Sequence, residues 1–238
     1  MWMKWLAAAL CALALVCFPA LDLSVSSWFY DPARGFWLAD TWPALLIYHG
    51  VRYAMWAIGI GLVAALIWAH LSRDERARRA QRPLWFLILV LVLGPQLITH
   101  ELLKNNWGRP RPEAIAEFGG AGHYVRPGVI SDQCEKNCSF TSGHAAAAFY
   151  LIAFAWVFPK QRRRWMLVGI IAGSVSGLVR IAQGGHFISD IFFSFWVVWL
   201  TATAVAWALN PQPPEADDWA KIRSLKGAAD ASNPRGKS

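Results

Sequence analysis

Apolar residues along the chain gather into long runs separated by short polar connectors. The runs cover roughly 5–21, 53–71, 84–103, 144–158, 165–182 and 187–209. A helix needs about 20 apolar residues to cross a hydrocarbon core of about 30 Å, and most of these runs come near that length. The fourth is shorter, and its Ser/Thr/Gly start suits the membrane interface. The pattern predicts an all-α membrane protein with six transmembrane helices. The first run, "MWMKWLAAALCALALVCFPA", also has the outline of a signal peptide. Its charged region is thin and no small-x-small site follows, so it reads as a retained helix. The segment after it, "DLSVSSWFYDPARGFWLADTWP", reads as an interfacial loop or short in-plane helix, with Trp28, Trp37 and Trp42 at headgroup level. Residues 1–209 thus form one membrane domain. Residues 210–238, opening "NPQPPEADDW", read as a disordered cytoplasmic tail.

Composition and charge give this picture a direction. The chain is 56% hydrophobic and 16% charged, with a net charge of +8. Much of the positive charge sits in "SRDERARRAQR" (72–82), "KQRRR" (160–164) and the tail. The positive-inside rule puts these segments, with Lys4, in the cytoplasm. They read as topology signals and not as a nucleic-acid surface. The connectors 22–52, 104–143 and 183–186 then face outward, to the periplasm if the membrane is a bacterial inner membrane. Cys11 and Cys17 lie in the first apolar run and act there as small hydrophobes. Cys134 and Cys138 lie in the outward connector, where an oxidising compartment favours a local disulfide. A zinc site there would need more ligands, and His123 is the obvious one nearby.

The chemistry collects at the outward ends of the spans. The third span closes with "THELLKNNWGRPRP", which carries Lys104, Arg109 and Arg111. The fourth opens on Ser142-Gly143-His144. The fifth ends "GLVRIAQGGHFISD", giving Arg180, a Gly184-Gly185 turn, His186 and Asp190. Each residue alone has a structural reading: a snorkelling cation, a helix cap or an interfacial histidine, as for His100. Together they place cations on the side the positive-inside rule disfavours, and a bound anion accounts for that. Lys104, Arg111 and Arg180 supply charge and directed donors to phosphate oxygens. Ser142 and Gly143 add a helix N-terminus that a ligand can approach closely. His186, four residues before Asp190, suits a nucleophile held by a carboxylate, and His144 suits a general acid. A metal site on His144, His186 and Asp190 ranks lower, because three cations beside it would repel a divalent ion. A lipid-binding or transport protein would use the arginines but would not need both histidines and Asp190.

At these residues the sequence resembles the type 2 phosphatidic acid phosphatase superfamily, which includes the vanadium haloperoxidases. Lys104, then six residues, then Arg111-Pro112 matches its first motif. Ser142-Gly143-His144 matches its second, with Thr141 in place of proline. Arg180, His186 and Asp190 match its third in spacing, with Val179 in place of serine. The resemblance covers roughly residues 1–209 and leaves the tail outside. It implies a six-helix membrane fold and hydrolysis of a phosphate ester without metal or other cofactor. It further implies that His186 becomes phosphorylated, that Asp190 orients it and that His144 protonates the leaving group. Lys104, Arg111, Ser142, Gly143 and Arg180 would then hold the phosphoryl oxygens. The loop from "KNNWGRPRP" to "NCSFTSGH" is most similar to bacterial lipid A phosphatases, so a lipid A phosphate is the favoured substrate. Undecaprenyl pyrophosphate, phosphatidylglycerol phosphate and phosphotransfer between lipids stay open at this level.

Overall fold

The computed structural model describes residues 18–209. Most of the first apolar run, with Lys4, Cys11 and Cys17, lies outside them, as does the tail 210–238. Six helices carry the described chain: α1 (Pro19–Ser27), α2 (Trp42–Leu71), α3 (Glu75–Asn106), α4 (Gly143–Val157), α5 (Pro159–Ala182) and α6 (Ile188–Leu209). Four of them, α2, α3, α5 and α6, are long and apolar enough to cross a membrane, and α4 is a shorter apolar helix. The protein is thus a mostly helical, multi-pass membrane protein.

Two differences from the sequence reading bear on the site. The helix expected to begin near residue 53 begins at Trp42, with Pro43 in its first turn, where a proline costs no backbone hydrogen bond. His49 and Arg52 interrupt the hydropathy there, although "WPALLIY" before them is itself apolar. The second difference lies within α3. From Val92 to Leu103 its turns are wide and π-type, with Pro95 inside them. Proline gives no N–H to the helical ladder, and a widened turn accommodates the missing bond. The outward segment before α2 folds as α1 followed by a small antiparallel hairpin, β1 (Tyr30–Asp31) and β2 (Gly35–Phe36), with Tyr30 opposite Phe36. Asp31 accepts from the amides of Ala33 and Arg34 and so closes its turn.

Helix packing follows from small residues. Gly169, Gly173 and Gly177 recur every fourth position, so they line one face of α5. A methyl on Gly169 would run into Ile152, on Gly173 into the Phe149 ring and on Gly177 into Ile191. The absence of side chains there lets α4 and α6 approach the α5 backbone, as small residues do between membrane helices. Tyr150 on α4 is buried and donates to the Leu87 carbonyl of α3 at 3.0 Å, which gives its hydroxyl a partner in an apolar cluster with Phe86, Val90 and Val205. At the end of the bundle where α3 and α5 finish and α4 and α6 start, the hairpin and the 107–142 connector form a cap. Its core is an aromatic triad, Tyr30, Phe36 and Phe118, with ring centroids 5.2 to 5.4 Å apart. The basic connectors lie at the opposite helix ends.

Replacing Gly173 with valine should force Phe149 and α4 away, costing about 1–3 kcal/mol as overpacking does. Gly61→Ala, where nothing lies within 4 Å, should be neutral or slightly stabilising. Thermal unfolding of the purified protein in detergent measures both, and equal melting temperatures for the two variants would contradict the close α4–α5 contact.

Candidate active site

The connector between α3 and α4 turns back on itself, and that turn builds the site. Gly108 takes a left-handed conformation at φ 68°, open to glycine without strain. The returning strand is then stitched to the outgoing one: the Cys138 amide donates to the Lys104 carbonyl at 3.0 Å, and Ser139 donates to Arg109 at 2.8 Å. Cys134 and Cys138 form a disulfide at the start of this return. Ser139 is thereby fixed, fully buried, between Arg109 and the start of α6.

Ser139 makes two contacts that matter. Its hydroxyl donates to Asp190 Oδ2 at 2.5 Å, and its carbonyl lies 2.7 Å from His186 Nδ1. A carbonyl can only accept, so Nδ1 carries the proton and Nε2 carries the free lone pair. The sequence reading gave the orienting role to Asp190. The structure gives the short hydrogen bond to the Ser139 carbonyl instead, because Asp190 Oδ2 stands 3.6 Å from Nδ1 and is already bonded by Ser139 and by the Phe187 amide at 2.8 Å. Asp190 adds a longer contact to the same ring nitrogen and a negative charge beside it. Burial, followed by the charge of Lys104, holds the His186 imidazole pKa well below its usual value, which keeps the ring neutral.

Asp190 is held in turn by a residue that the motifs leave out. Arg109 is completely buried. Its Nη1 donates to Asp190 Oδ1 at 2.5 Å and to Ser189 Oγ at 2.9 Å. Its Nη2 donates to Asp22 Oδ2 at 2.7 Å, and its Nε to the Val125 carbonyl at 2.8 Å. Phe187 lies against the guanidinium plane, 4.3 Å from ring centroid to Cζ. Burial works against the charge of Arg109, but the carboxylates of Asp190 and Asp22 overcome it and raise its pKa. Asp22, on α1, also accepts from Tyr124, from the Ser189 hydroxyl and from the Ser189 amide. Burial, then the Asp22 charge, pushes the Tyr124 hydroxyl pKa upward, so it stays a neutral donor. The sequence showed Arg109 only as one more loop charge and did not show Asp22. A Gly-Arg-Pro-Arg run offering one arginine more than the phosphate needs was the available signal.

The remaining site residues converge from four helices. Lys104, nearly buried at the end of α3, runs beside Gly143, whose missing side chain leaves its stem 3.8 Å from where a Cβ would stand. Ser142 caps α4 by accepting from the Ala145 amide at 3.4 Å. His144 stacks on Tyr48 of α2 with ring centroids 4.2 Å apart, and the Arg180 guanidinium lies 5.0 Å from the same ring. Tyr48 went unnoticed in the sequence because it falls in a stretch read as a loop. Arg180 donates to Gln183 at 2.6 Å. Arg111 is more exposed, donating to the Asn137 carbonyl at 2.9 Å and lying 3.5 Å from Glu113. His144 Nε2 and Arg180 Nε are buried polar atoms without a hydrogen-bond partner among the described residues. Lys104 has no carboxylate within ion-pair distance there either. A cavity of about 620 Å³ opens between α2 and α3, with Lys104, Gly143 and His144 at one end. Around this end, among the described residues, Lys104 and Arg180 lack a carboxylate partner, His186 keeps a free nitrogen lone pair and His144 has an unpartnered nitrogen. That is the equipment for binding and attacking a phosphoryl group. Among the described residues no three His, Cys, Asp or Glu side chains converge as metal ligands.

The signature of the PAP2 superfamily matches residues 83–213, which include all three motifs. The chain belongs to the PAP2 superfamily. Among relatives of this PAP2 protein is the lipid A 4'-phosphatase of Francisella tularensis subsp. novicida (strain U112), 31% identical over 204 residues, covering 76% of this chain and 86% of that one. The lipid A 4'-phosphatase of Rhizobium etli is 37% identical over 136 residues, 57% of this chain and 50% of its own. That of Rhizobium leguminosarum is 37% identical over 134 residues, 56% and 55%. No solved structure gives a significant match.

Removing the buried guanidinium should be costly. Arg109→Leu leaves Asp22 and Asp190 as buried carboxylates without a counter-charge, and breaking such pairs costs about 3–5 kcal/mol. Arg109→Lys, a cation without the planar fork, should fall between the two. Melting curves in detergent test this, and a leucine variant as stable as the parent would remove Arg109 from the centre of the fold.

Proposed function

We propose that this PAP2 protein is a membrane phosphatase that hydrolyses a lipid A phosphate, the 4'-phosphate in particular, through a phosphohistidine. The observation that carries the chemistry is the fixed tautomer of His186, with Nδ1–H on the Ser139 carbonyl and Nε2 free beside Lys104 and Arg180. The relatives named lipid A 4'-phosphatase, one aligned over most of both chains, support the substrate.

In the first step His186 Nε2 attacks phosphorus and the bond to the lipid oxygen breaks, while His144 gives that oxygen its proton. The phosphorylated imidazole keeps its Nδ1–H and becomes positive, and the Asp190 carboxylate 3.6 Å away stabilises that charge. In the second step water attacks the phosphohistidine and gives a proton to His144. Inorganic phosphate leaves and both histidines return to their starting state. Lys104, Arg111, Arg180, Ser142 and the Gly143 amide hold the phosphoryl oxygens, where charge builds in both transition states.

The same reading assigns residues 1–209 to a six-span phosphatase domain: the first apolar run, α2, α3, the shorter α4, α5 and α6. Residues 210–238 form a cytoplasmic tail, and the site faces the periplasm of a bacterial inner membrane. The basic connectors at the far helix ends support that orientation. So does the disulfide on the site's side, since disulfides persist in oxidising compartments.

His186→Ala should abolish phosphate release from lipid A and any trapped phosphoenzyme; near-normal release by that variant would sink the mechanism. His144→Ala should be hurt less with activated esters, whose leaving groups need no proton. Because the folded site resists protonating His186, the acid limb of kcat/KM due to this group should lie below the ordinary imidazole value of about 6.5. A limb above that value would contradict the buried neutral ring. For orientation, Ala121→Cys and Gln161→Cys should react differently with an impermeant thiol reagent outside the inner membrane, the first labelling and the second not. The reverse pattern would invert the topology.

A further inference from the structure

The cavity that ends at Lys104 and His144 continues along two facing helices. On α2 its wall is Tyr48, Arg52, Met55, Trp56 and Gly59, and on α3 it is the Leu91-to-Lys104 face. A Cβ on Gly59 would lie 3.7 Å from Leu91 Cδ2, which sets the register of these antiparallel neighbours. Seven residues back from Gly59 is Arg52, and seven on from Leu91 is Ile98, so Arg52 stands level with the turn between Gln96 and His100. Both of those residues line the cavity, as Arg52 does. Arg52 is one helical turn beyond Tyr48, and His100 one turn before Lys104. The cavity is therefore layered: phosphate ligands at the mouth, then Arg52, Gln96 and His100, then apolar side chains.

Arg52 lies ten residues into a membrane-length helix, about 15 Å along its axis. It has no ion-pair or hydrogen-bond partner among the described residues. It stands at the edge of the 53–71 apolar run, and a cation there that faces a cavity without a counter-charge marks a ligand path. His100 shares its Nδ1 with Glu101 at 3.1 Å, which leaves Nε2 for the cavity. The layer offers directed donors one turn below the phosphate, where a lipid carries the carbonyl and hydroxyl oxygens that join its headgroup to its chains. Below it the wall is mostly apolar, with Met55, Trp56 and Leu91.

We infer that Arg52, with Gln96 and His100, forms a subsite for the acyl-linkage oxygens of the substrate and so selects acylated lipids over soluble phosphate esters. This rests on the lipid phosphatase reading above. The subsite contributes to binding, and the chemistry at His186 proceeds without it. The test compares lipid A in detergent micelles with p-nitrophenyl phosphate, which has neither linkage nor chain, using full-length protein. Arg52→Gln and Gln96→Leu should each lower kcat/KM for lipid A on the order of tenfold, mainly through KM, the scale of a hydrogen bond involving a charged or buried polar group. Turnover of p-nitrophenyl phosphate should not change, and Arg52→Lys should recover part of the loss. Equal losses on both substrates, or no loss on either, would overturn the subsite. If the parent protein released phosphate from neither ester, the phosphatase reading itself would fall, and the subsite with it.

Discussion

The structure depends on one buried guanidinium. Arg109 is surrounded by protein on every side and joins α1, the α3–α4 connector and the start of α6 through Asp22, Val125 and Asp190. None of these polar groups would tolerate burial alone, since an unpaired charge in a low-dielectric interior costs several kcal/mol. Each is present because the others are. The consequence is geometric: Asp190 is fixed, Asp190 fixes the Ser139 hydroxyl, and the Ser139 carbonyl fixes the tautomer of His186.

The protein uses its cations in two ways, and burial alone does not separate them. Arg109 is satisfied inside the fold, with carboxylates on both of its nitrogen arms. Lys104 and Arg180 are also largely buried, yet no carboxylate pairs with them among the described residues, and their neighbours are neutral: Gly143, Tyr48 and Gln183. The first arrangement is complete without a ligand. The second is left short of negative charge, and a phosphoryl group brings what it lacks. Arg109 lies five residues beyond Lys104, so the structural cation and an unpaired one meet where α3 passes into its connector.

Much of this was legible from residue order. The apolar runs gave α6 to within a residue and the outward ends of α3 and α5 to within three, while both helices start six to nine residues before their runs, in the basic connectors. Three motifs singled out the candidate phosphate ligands and both histidines, because their spacings are fixed by helix ends. The start of α2 was missed because hydropathy treats His49 and Arg52 as interruptions, whereas the helix carries both without breaking, Arg52 at the cavity wall. The role given to Asp190 was incomplete for a different reason. A spacing of four allows a side-chain contact on one helix, but His186 precedes α6, and the carbonyl that reaches its ring belongs to a residue 47 positions away.

The sequence by itself determined where the apolar helices of the described chain lie, the end at which the candidate chemistry gathers and the superfamily. Those properties are local sums of hydropathy and short spacings, and they survive without coordinates. The tertiary structure decided which arginine is paired inside the fold and which is left without a carboxylate, that α1 belongs to the site, and which nitrogen of His186 is free. Each of those depends on contacts between residues up to 167 positions apart, made by a looped connector, and on which polar groups burial leaves paired or open.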